Sequence, residues 1–353
     1  MSHAPRPLND SDPASAPAGR RRFLGLAAGL AAGAALGPSL SAFAEDMEMA
    51  VKGPPVRDIA PLRLTPRVWV IQAPDGFPTP ENHGMMANVT FVSTGKGVVV
   101  IDSGASVQIG EMAIRQLKKL TDEPVVAIFN SHYHGDHYLG NQAFVDAFGA
   151  GKNSLPIYAH AETIKAIRGH EGESWRAAME RWTNLASAGT RVVPPNTAVD
   201  HGQEFRIGDR TFRLHHLGHA HTPGDISVEV VEDGVTHVGD IAMDRRIANM
   251  DDGSYVDTFK TYDMLIANTR TKVWIPAHGV PSAGVLQWNR ELFAGIYETC
   301  VQAVQDGLPL EAAKARVLKD PRVASRAAET KGFDNNIGKY VSLAYLEAEA
   351  ASF

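Results

Sequence analysis

Cysteine is nearly absent from this chain: of its 353 residues, only Cys300 carries a thiol. One thiol cannot form an intramolecular disulfide, and it excludes a metal site built from several thiolates. Charge is also unremarkable, since 34 basic and 40 acidic residues give a net charge of −6. That balance offers no argument for nucleic acid as a partner. With 44% hydrophobic residues, the composition is that of a folded globular protein with a sizeable core.

The N-terminal region lacks an apolar run long enough to favour a membrane anchor. Its apolar stretch, Leu24 to Leu36, is short, rich in Ala and Gly, and soon followed by Pro38. Arg20–Arg22 precede it, and the small-residue site Ala42–Ala44 follows it. This order resembles a twin-arginine export signal. The resemblance implies that residues 1–44 are removed, and that the chain reaches the periplasm through the twin-arginine machinery without stable membrane insertion.

Histidine, in contrast, is abundant, with 14 residues. The densest group is His132-Tyr133-His134-Gly135-Asp136-His137, which follows the short apolar run Val125–Phe129. That run predicts a buried strand, so four ligand-type side chains lie just beyond a strand end. Imidazoles and a carboxylate suit zinc and related divalent ions. A polar loop with chance histidines is the alternative, but this density is hard to reach by chance.

The remaining pattern predicts alternating strands and helices, then hairpins, then a helical C-terminal region. Polar turns at Gly208-Asp209 and Asp233-Gly234 predict two hairpins, and Thr190 to Val199 is predicted to be a linker. Strands are predicted at 67–71, 88–93, 98–101, 125–129, 157–159 and 273–275, and helices at 110–120, 140–148, 161–188, 262–268 and from 285 onward.

Three more motifs with ligand candidates occur at predicted strand-to-loop junctions. Leu217 to Gly224 contains His219 and His221, and both are candidates for one further histidine ligand. Asp240 follows the strand that contains His237, and His278 follows the strand at 273–275. Each motif alone is weak, but their order and equivalent positions reinforce one another.

Together these motifs resemble the metallo-β-lactamase-fold hydrolases, over roughly residues 67–285. The resemblance implies an α+β fold, a four-layer αββα sandwich with the site at one edge of the sheets. It also suggests the domain organisation: a signal at 1–44, an extended segment at 45–66, the metallo-β-lactamase-like domain at 67–285 and a helical extension at 286–353 packed on that domain.

The resemblance further implies two metal ions, expected to be zinc, with iron or manganese as alternatives. It favours His221 over His219, because His-Thr-Pro-Gly is the usual form of the family's motif. The implied ligands are His132, His134 and His221 for the first ion, Asp136, His137 and His278 for the second, and Asp240 as the bridge. Asp rather than Cys at the bridging position resembles the glyoxalase II and lactonase branches.

The expected function is therefore an exported dinuclear zinc hydrolase acting on a small-molecule substrate. A metal-bound hydroxide, oriented by Asp136 and Asp240, would cleave an amide, lactone, ester or related bond. Two alternatives stay open: a mononuclear iron dioxygenase of the persulfide dioxygenase type, and an accessory metal protein of a periplasmic redox system. Nothing in the sequence selects a β-lactam over an ester.

Several residues around the motifs allow more than one interpretation. Asp102 either braces the ligand loop by hydrogen bonds or is an ordinary turn residue. Arg245 and Arg246 either clamp a carboxylate or phosphate or form a surface pair. His83 lies in a loop that either covers the mouth of the site or is simply solvated, and His237 is expected to point to the opposite sheet face. The C-terminal region shows no convincing basic cluster, which argues against a glutathione thioesterase.

Overall fold

The structure is a computed structural model, and it describes residues 51–74, 76–149, 154–247 and 249–352. The expected export signal at 1–44 lies outside the described residues. Residues 51–61 contain no helix or strand. None of the helices that the structure describes is long and apolar enough to cross a membrane.

The first sheet has seven strands in sequence order. Short, β-branched runs such as Val-Val-Val-Ile form its buried centre, as expected for strands covered on both faces. The first four strands pair in antiparallel fashion and the last four in parallel. Its members are β1 (Leu62–Arg63), β2 (Val68–Ile71), β3 (Val89–Ser93), β4 (Val98–Ile101), β5 (Val125–Phe129), β6 (Ile157–His160) and β7 (Thr197–Val199).

The second sheet has five strands in the order β12-β11-β10-β9-β8. Two hairpins build most of it, and β12 pairs with β11 in parallel at one edge. Gly234 adopts a left-handed conformation, with φ at 62°, in the turn that the Asp-Gly pair predicts. Its members are β8 (Glu204–Ile207), β9 (Arg210–His215), β10 (Ser227–Val230), β11 (Val235–Gly239) and β12 (Val273–Pro276).

Ten α-helices among the described residues accompany the sheets. The first five follow strands of the first sheet, and the last five belong to the second half of the chain. They are α1 (Val107–Leu117), α2 (Gly135–Tyr138), α3 (Asn141–Phe148), α4 (Ala161–Arg168), α5 (His170–Trp182), α6 (Tyr255–Asn268), α7 (Val285–Gln305), α8 (Leu310–Val317), α9 (Pro321–Ala327) and α10 (Phe333–Ala350).

Three apolar clusters define the layers. The middle one joins the inner faces of the two sheets through residues such as Phe129 and Phe212, whose rings stack at 5.7 Å. A second cluster packs α1 and α3 on the outer face of the first sheet, and a third packs α6 to α10 beside the second. This order of helix, sheet, sheet and helix confirms the predicted α+β sandwich.

Most predicted elements are present, and their errors have local causes. The helix predicted at 161–188 is divided at Gly169 into α4 and α5. The predicted linker at 190–199 contains β7, which pairs with β6 in parallel and was missed because its only buried residue is Val199. Cys300 is fully buried in α7 among apolar neighbours, as its interpretation as a small core residue expects.

Candidate metal centre

All candidate ligands lie in the segments that follow strands of the two sheets. His132 to His137 follow β5, and the backbone turns at His134 into the short helix α2. His221 lies between β9 and β10, Asp240 directly follows β11, and His278 follows β12 after one intervening residue. The sandwich thus brings together residues that are more than 140 positions apart in the sequence.

The structure gathers these side chains into two buried groups, which we call the candidate metal centre. The ligand atoms within each group all lie within 4.8 Å of one another. One group contains His132, His134, His221 and Asp240, and the other contains Asp136, His137 and His278. His219, the alternative to His221, is exposed and hydrogen-bonds instead to the backbone carbonyl of Asp252.

Asp240 lies between the two groups. Its Oδ2 is 3.5 Å from His221 Nε2 and 3.9 Å from His132 Nε2. Its Oδ1 is 3.3 Å from His278 Nε2 and 3.6 Å from His137 Nε2. One carboxylate therefore presents one oxygen to each group, which is the arrangement that the resemblance implied for a bridging ligand.

The donor atoms fit a divalent metal ion. His132 Nε2, Asp136 Oδ2, His137 Nε2 and Asp240 Oδ1 are enclosed, and none has a hydrogen-bond partner among the described residues. Leaving so many buried polar atoms without partners is unfavourable unless a ligand satisfies them. Imidazole nitrogens and carboxylate oxygens are the donors that zinc takes in water-activating sites.

The electrostatics of the centre are dominated by burial and by mutual proximity. Burial alone would raise the pKa values of Asp136 and Asp240, but the adjacent imidazoles outweigh it and hold both pKa values well below normal. Burial alone would lower the pKa of His278, but the two carboxylates raise it to about 9. Burial and neighbouring histidines hold the pKa of His132 far below its usual range. Both carboxylates are therefore anionic, as ligands must be.

The imidazole nitrogens that face away from the centre also have partners. His221 Nδ1 lies 2.7 Å from the carbonyl of Asn249, and His278 Nδ1 lies 2.8 Å from the carbonyl of Met86. His132 Nδ1 lies 3.0 Å from Ser131 Oγ. Such contacts fix the ring orientation and tautomer of ligand histidines.

Asp102 contributes the most connected of these supporting contacts. It follows β4, and its carboxylate lies 2.8 Å from His137 Nδ1 and 3.1 Å from His237 Nε2. It also accepts from the backbone N–H and the hydroxyl of Ser131. The structure thus favours the bracing role over an ordinary turn. His237 belongs to the same arrangement, because its ring contacts Asp102 through Nε2 and Thr90 through Nδ1.

Gly239 allows the strand end beside Asp240 to approach the ligand loop closely. Its φ is 57°, and a Cβ atom placed there would lie 2.8 Å from the Cβ of Ser131. A larger residue would be strained in this conformation and would press on the loop that carries His132. The pairing of β11 with β12 shifts register at this point.

A cavity of about 420 Å³ opens onto the centre, which contributes His134, Asp136, Asp240 and His278 to its wall. One part of the remaining wall is apolar, and another part is cationic. The apolar part includes Phe77, Met86, Trp175, Trp182, Met243 and Ile247. The cations are Arg246, Lys331 and Lys339, and the Lys339 ammonium pairs with Asp251 in the same wall.

The structure separates the two arginines that the sequence placed together. Arg246 lines the cavity, with its guanidinium carbon 5.7 Å from the ring centre of Phe77. Arg245 is exposed and lies 3.4 Å from Glu329. His83 lines a different cavity, together with Pro55 and Asp58, and is not among the residues of the cavity at the centre.

Sequence reasoning missed the contribution of the C-terminal helix. Lys331, Asn336, Lys339 and Tyr340 line the cavity from α10 and the turn before it. The C-terminal sequence by itself shows no basic cluster, but the fold brings Lys331 and Lys339 into the same cavity wall as Arg246. Only the hydrophobic spacing of α10 signalled that this helix packs on the domain.

The polar loop between β11 and α6 supplies one more residue beside the centre. Asp252 Oδ2 accepts from the Tyr133 hydroxyl at 2.7 Å and lies 3.7 Å from His134 Nε2. The contact with His134, together with that hydrogen bond, holds the pKa of Asp252 at about 2. Asp252 thus supports the ring of His134, as Asp102 supports the ring of His137.

Comparison with known proteins agrees with this architecture. The sequence model of the Metallo-beta-lactamase superfamily matches residues 84–312. The linear primary-alkylsulfatase of Pseudomonas sp. (strain ATCC 19151) is 23% identical over 268 residues, which is 66% of this chain and 50% of that protein.

Two solved structures show the likeness of the fold. The stereoselective inverting sec-alkylsulfatase Pisa1 from Pseudomonas sp. aligns with a TM-score of 0.64 at 16% identity, over 81% of this chain and 50% of its own. A metallo-beta-lactamase from Pontibacter korlensis aligns with a TM-score of 0.53 at 18% identity, over 67% of this chain and 99% of its own. The chain spans about half the length of the two alkylsulfatases.

Proposed function

The chain belongs to the metallo-beta-lactamase superfamily, and on that premise we propose that it is a metal-dependent hydrolase with two divalent ions, zinc first, at the candidate metal centre. The observation that carries the proposal is the position of Asp240. It presents one carboxylate oxygen to each of two buried ligand groups, beside a cavity that admits a small molecule. That arrangement suits two ions sharing one bridging ligand.

The residues of the centre have separate tasks in this proposal. Bound there, divalent ions would supply Lewis acidity that lowers the pKa of water to about 7 and polarises the bond to be cleaved. Asp136 and Asp240 remain anionic and accept hydrogen bonds from the attacking water, which orients it. Asp102 and Asp252 hold His137 and His134 in place, so that the ligand atoms keep their positions during the reaction.

The cavity supports a substrate with an anionic group and an apolar chain. Arg246 and Lys331 supply positive charge to one part of the wall, where Lys339 pairs with Asp251, and Phe77 and Trp175 supply apolar surface to another. A sulfate ester of an alkyl alcohol has both features, and two of the similar proteins are alkylsulfatases by name. We therefore propose an alkyl sulfate ester as the substrate class within the broader group of esters, lactones and amides.

A mononuclear iron dioxygenase or a metal-binding accessory protein is less well supported. A mononuclear centre would leave one of the two ligand groups without a role, although Asp136, His137 and His278 are as buried as the other group. A purely structural metal site would not need a cavity beside its ligands. Iron and zinc share much of the same ligand chemistry, so the ligands alone do not distinguish these functions. The identity of the bound metal distinguishes them.

The experiment combines metal analysis with a substrate panel. The full chain is purified with zinc, manganese or iron(II) and assayed with decyl sulfate, nitrocefin, a lactone, a thioester and, under oxygen, glutathione persulfide. We expect two zinc ions per chain and hydrolysis of decyl sulfate. Activity confined to the iron form with persulfide would overturn the proposal, as would inertness of the zinc form toward the whole panel.

We also propose export of the protein to the periplasm, on the basis of the N-terminal sequence. The test replaces Arg20, Arg21 and Arg22 with Lys and fractionates cells that express the full chain. We expect the variant to remain in the cytoplasm, whereas the unchanged chain appears in the periplasmic fraction. Equal periplasmic amounts of the two proteins would contradict export by the twin-arginine route.

A further inference from the structure

Tyr340 differs from the other buried tyrosines that the structure describes. Its side chain is 5% exposed, and it belongs to the apolar cluster around α7 and α10. The other buried tyrosine hydroxyls all donate a hydrogen bond: Tyr133 to Asp252, Tyr138 to Gly172, Tyr255 to Tyr340 and Tyr262 to Ile241. The Tyr340 hydroxyl has no such partner within the described ranges, although buried tyrosine hydroxyls usually find one.

The Tyr340 hydroxyl faces the cavity at the candidate metal centre. Tyr340 lines that cavity, and its hydroxyl oxygen is not among the enclosed polar atoms that lack a partner. The charged groups that influence it are Arg246, Asp251 and Asp240, all of which line the same cavity. The Tyr340 side chain packs in the apolar cluster around α7 and α10, and its backbone carbonyl accepts from the Tyr255 hydroxyl at 3.1 Å.

We propose that the Tyr340 hydroxyl donates a hydrogen bond to an anionic oxygen of the bound substrate. The inference rests on the proposed function in taking the ligand to be an anionic ester with its reacting group beside Asp240. Arg246 supplies the neighbouring positive charge, and Tyr340 supplies a directed donor whose hydroxyl has no hydrogen-bond partner among the described residues. No proton is transferred, so the hydroxyl is intact before and after the reaction.

The chemistry of the side chain suits this role. Burial raises the pKa of Tyr340 well above its usual value, so the hydroxyl stays protonated at any working pH. A fixed donor aimed at a developing negative charge stabilises the transition state more than the substrate, and loss of one such donor typically costs about 100- to 1000-fold in kcat. Its position on α10 also gives the C-terminal helix a direct part in substrate recognition.

The test compares Tyr340→Phe with the matched control Tyr345→Phe in the zinc-loaded full chain. Tyr345 lies on the same helix, but its hydroxyl donates to the carbonyl of Leu308 at 2.8 Å, and it is not among the residues of the cavity. Each variant is examined for zinc content, for kcat and KM with decyl sulfate, and for binding of decanesulfonate, an anion that cannot be hydrolysed.

For Tyr340→Phe we expect unchanged zinc content, a fall in kcat/KM of about 100-fold and decanesulfonate binding weaker by about tenfold. For Tyr345→Phe we expect all three values to match the unchanged chain. Equal decanesulfonate affinity of Tyr340→Phe and the unchanged chain would overturn the inference, and so would failure of the unchanged chain to bind decanesulfonate. Failure of the proposed function is read separately, from hydrolysis by the unchanged chain across the substrate panel.

Discussion

Asp102 Oδ2 and His137 Nδ1 lie 2.8 Å apart, and both side chains are fully buried. This contact joins the end of β4 to the ligand loop after β5. The Asp102 backbone has a φ of 56°, which is uncommon for a residue other than glycine. The conformation is retained because Ser131, His137 and His237 all bond to the same carboxylate.

Asp102→Asn should weaken metal binding by about 10- to 100-fold while the chain stays folded. Asn fits the same space and tolerates the left-handed backbone conformation, so the change removes mainly the negative charge behind His137. Competition with a chromogenic chelator measures the affinity. The control is Asp122→Asn, at an exposed position, and an equal affinity of the two variants would rule out the bracing role of Asp102.

Arg246→Gln should raise KM for decyl sulfate by about tenfold, because a cation that faces the substrate anion is lost. Arg245→Gln is the matched control, since Arg245 is the preceding residue but pairs with Glu329 outside the cavity. Steady-state kinetics at low and high salt distinguish the two variants. If both changes had the same effect, the assignment of Arg246 to the substrate cavity would be wrong.

Glu347→Gln should lower the free energy of unfolding by about 1–3 kcal/mol. The Glu347 carboxylate on α10 accepts from the Ser254 hydroxyl at 2.7 Å and from the N–H groups of Tyr255 and Val256 at 2.8 and 3.2 Å. These bonds tie α10 to the start of α6 and to the end of the preceding loop, in which the Asn249 carbonyl contacts His221. Urea unfolding of this variant and of the exposed control Glu349→Gln checks the prediction, and equal midpoints would refute it.

The stability of the metal-free protein should fall as the pH rises from 6.5 to about 9. Burial lowers the pKa of His278, but Asp240 and Asp136 outweigh it and raise the pKa to about 9, above the ordinary 6.5. The stability from protonated His278 is fully present below pH 6.5 and is lost as the pH passes 9. Unfolding of chelated protein across this range measures it. His278→Gln should flatten the dependence, and an unchanged slope would contradict the assignment.

The sequence predicts much of this site because its ligands lie at strand ends. A buried strand followed by ligand-type side chains places them at a sheet edge, and in this sandwich the segments after β5, β11 and β12 converge. His132, Asp240 and His278 could therefore be chosen from the sequence alone. The choice of His221 over His219 needed the motif of a known family, because both histidines occupy the same loop.

The walls of the cavity could not be predicted in this way. Tyr340 and Lys339 reach the cavity only because α10 packs against α7, and nothing in their own sequence context distinguishes them from other helix residues. Arg245 and Arg246 are adjacent in sequence, yet the backbone at Arg245, with a φ of 50°, directs them to different surroundings. Tertiary packing, and not local pattern, determines such positions.

The number of metal ions bound per chain decides whether Asp240 joins two metal sites. The full chain is loaded with zinc, freed of excess ion and measured by elemental analysis, beside the variant Asp240→Ala. We expect two zinc ions in the unchanged chain, and at most one, with activity lost, in the variant, since Asp240 serves both ligand groups. One ion or none in the unchanged chain, or two ions and full activity in Asp240→Ala, would contradict this expectation.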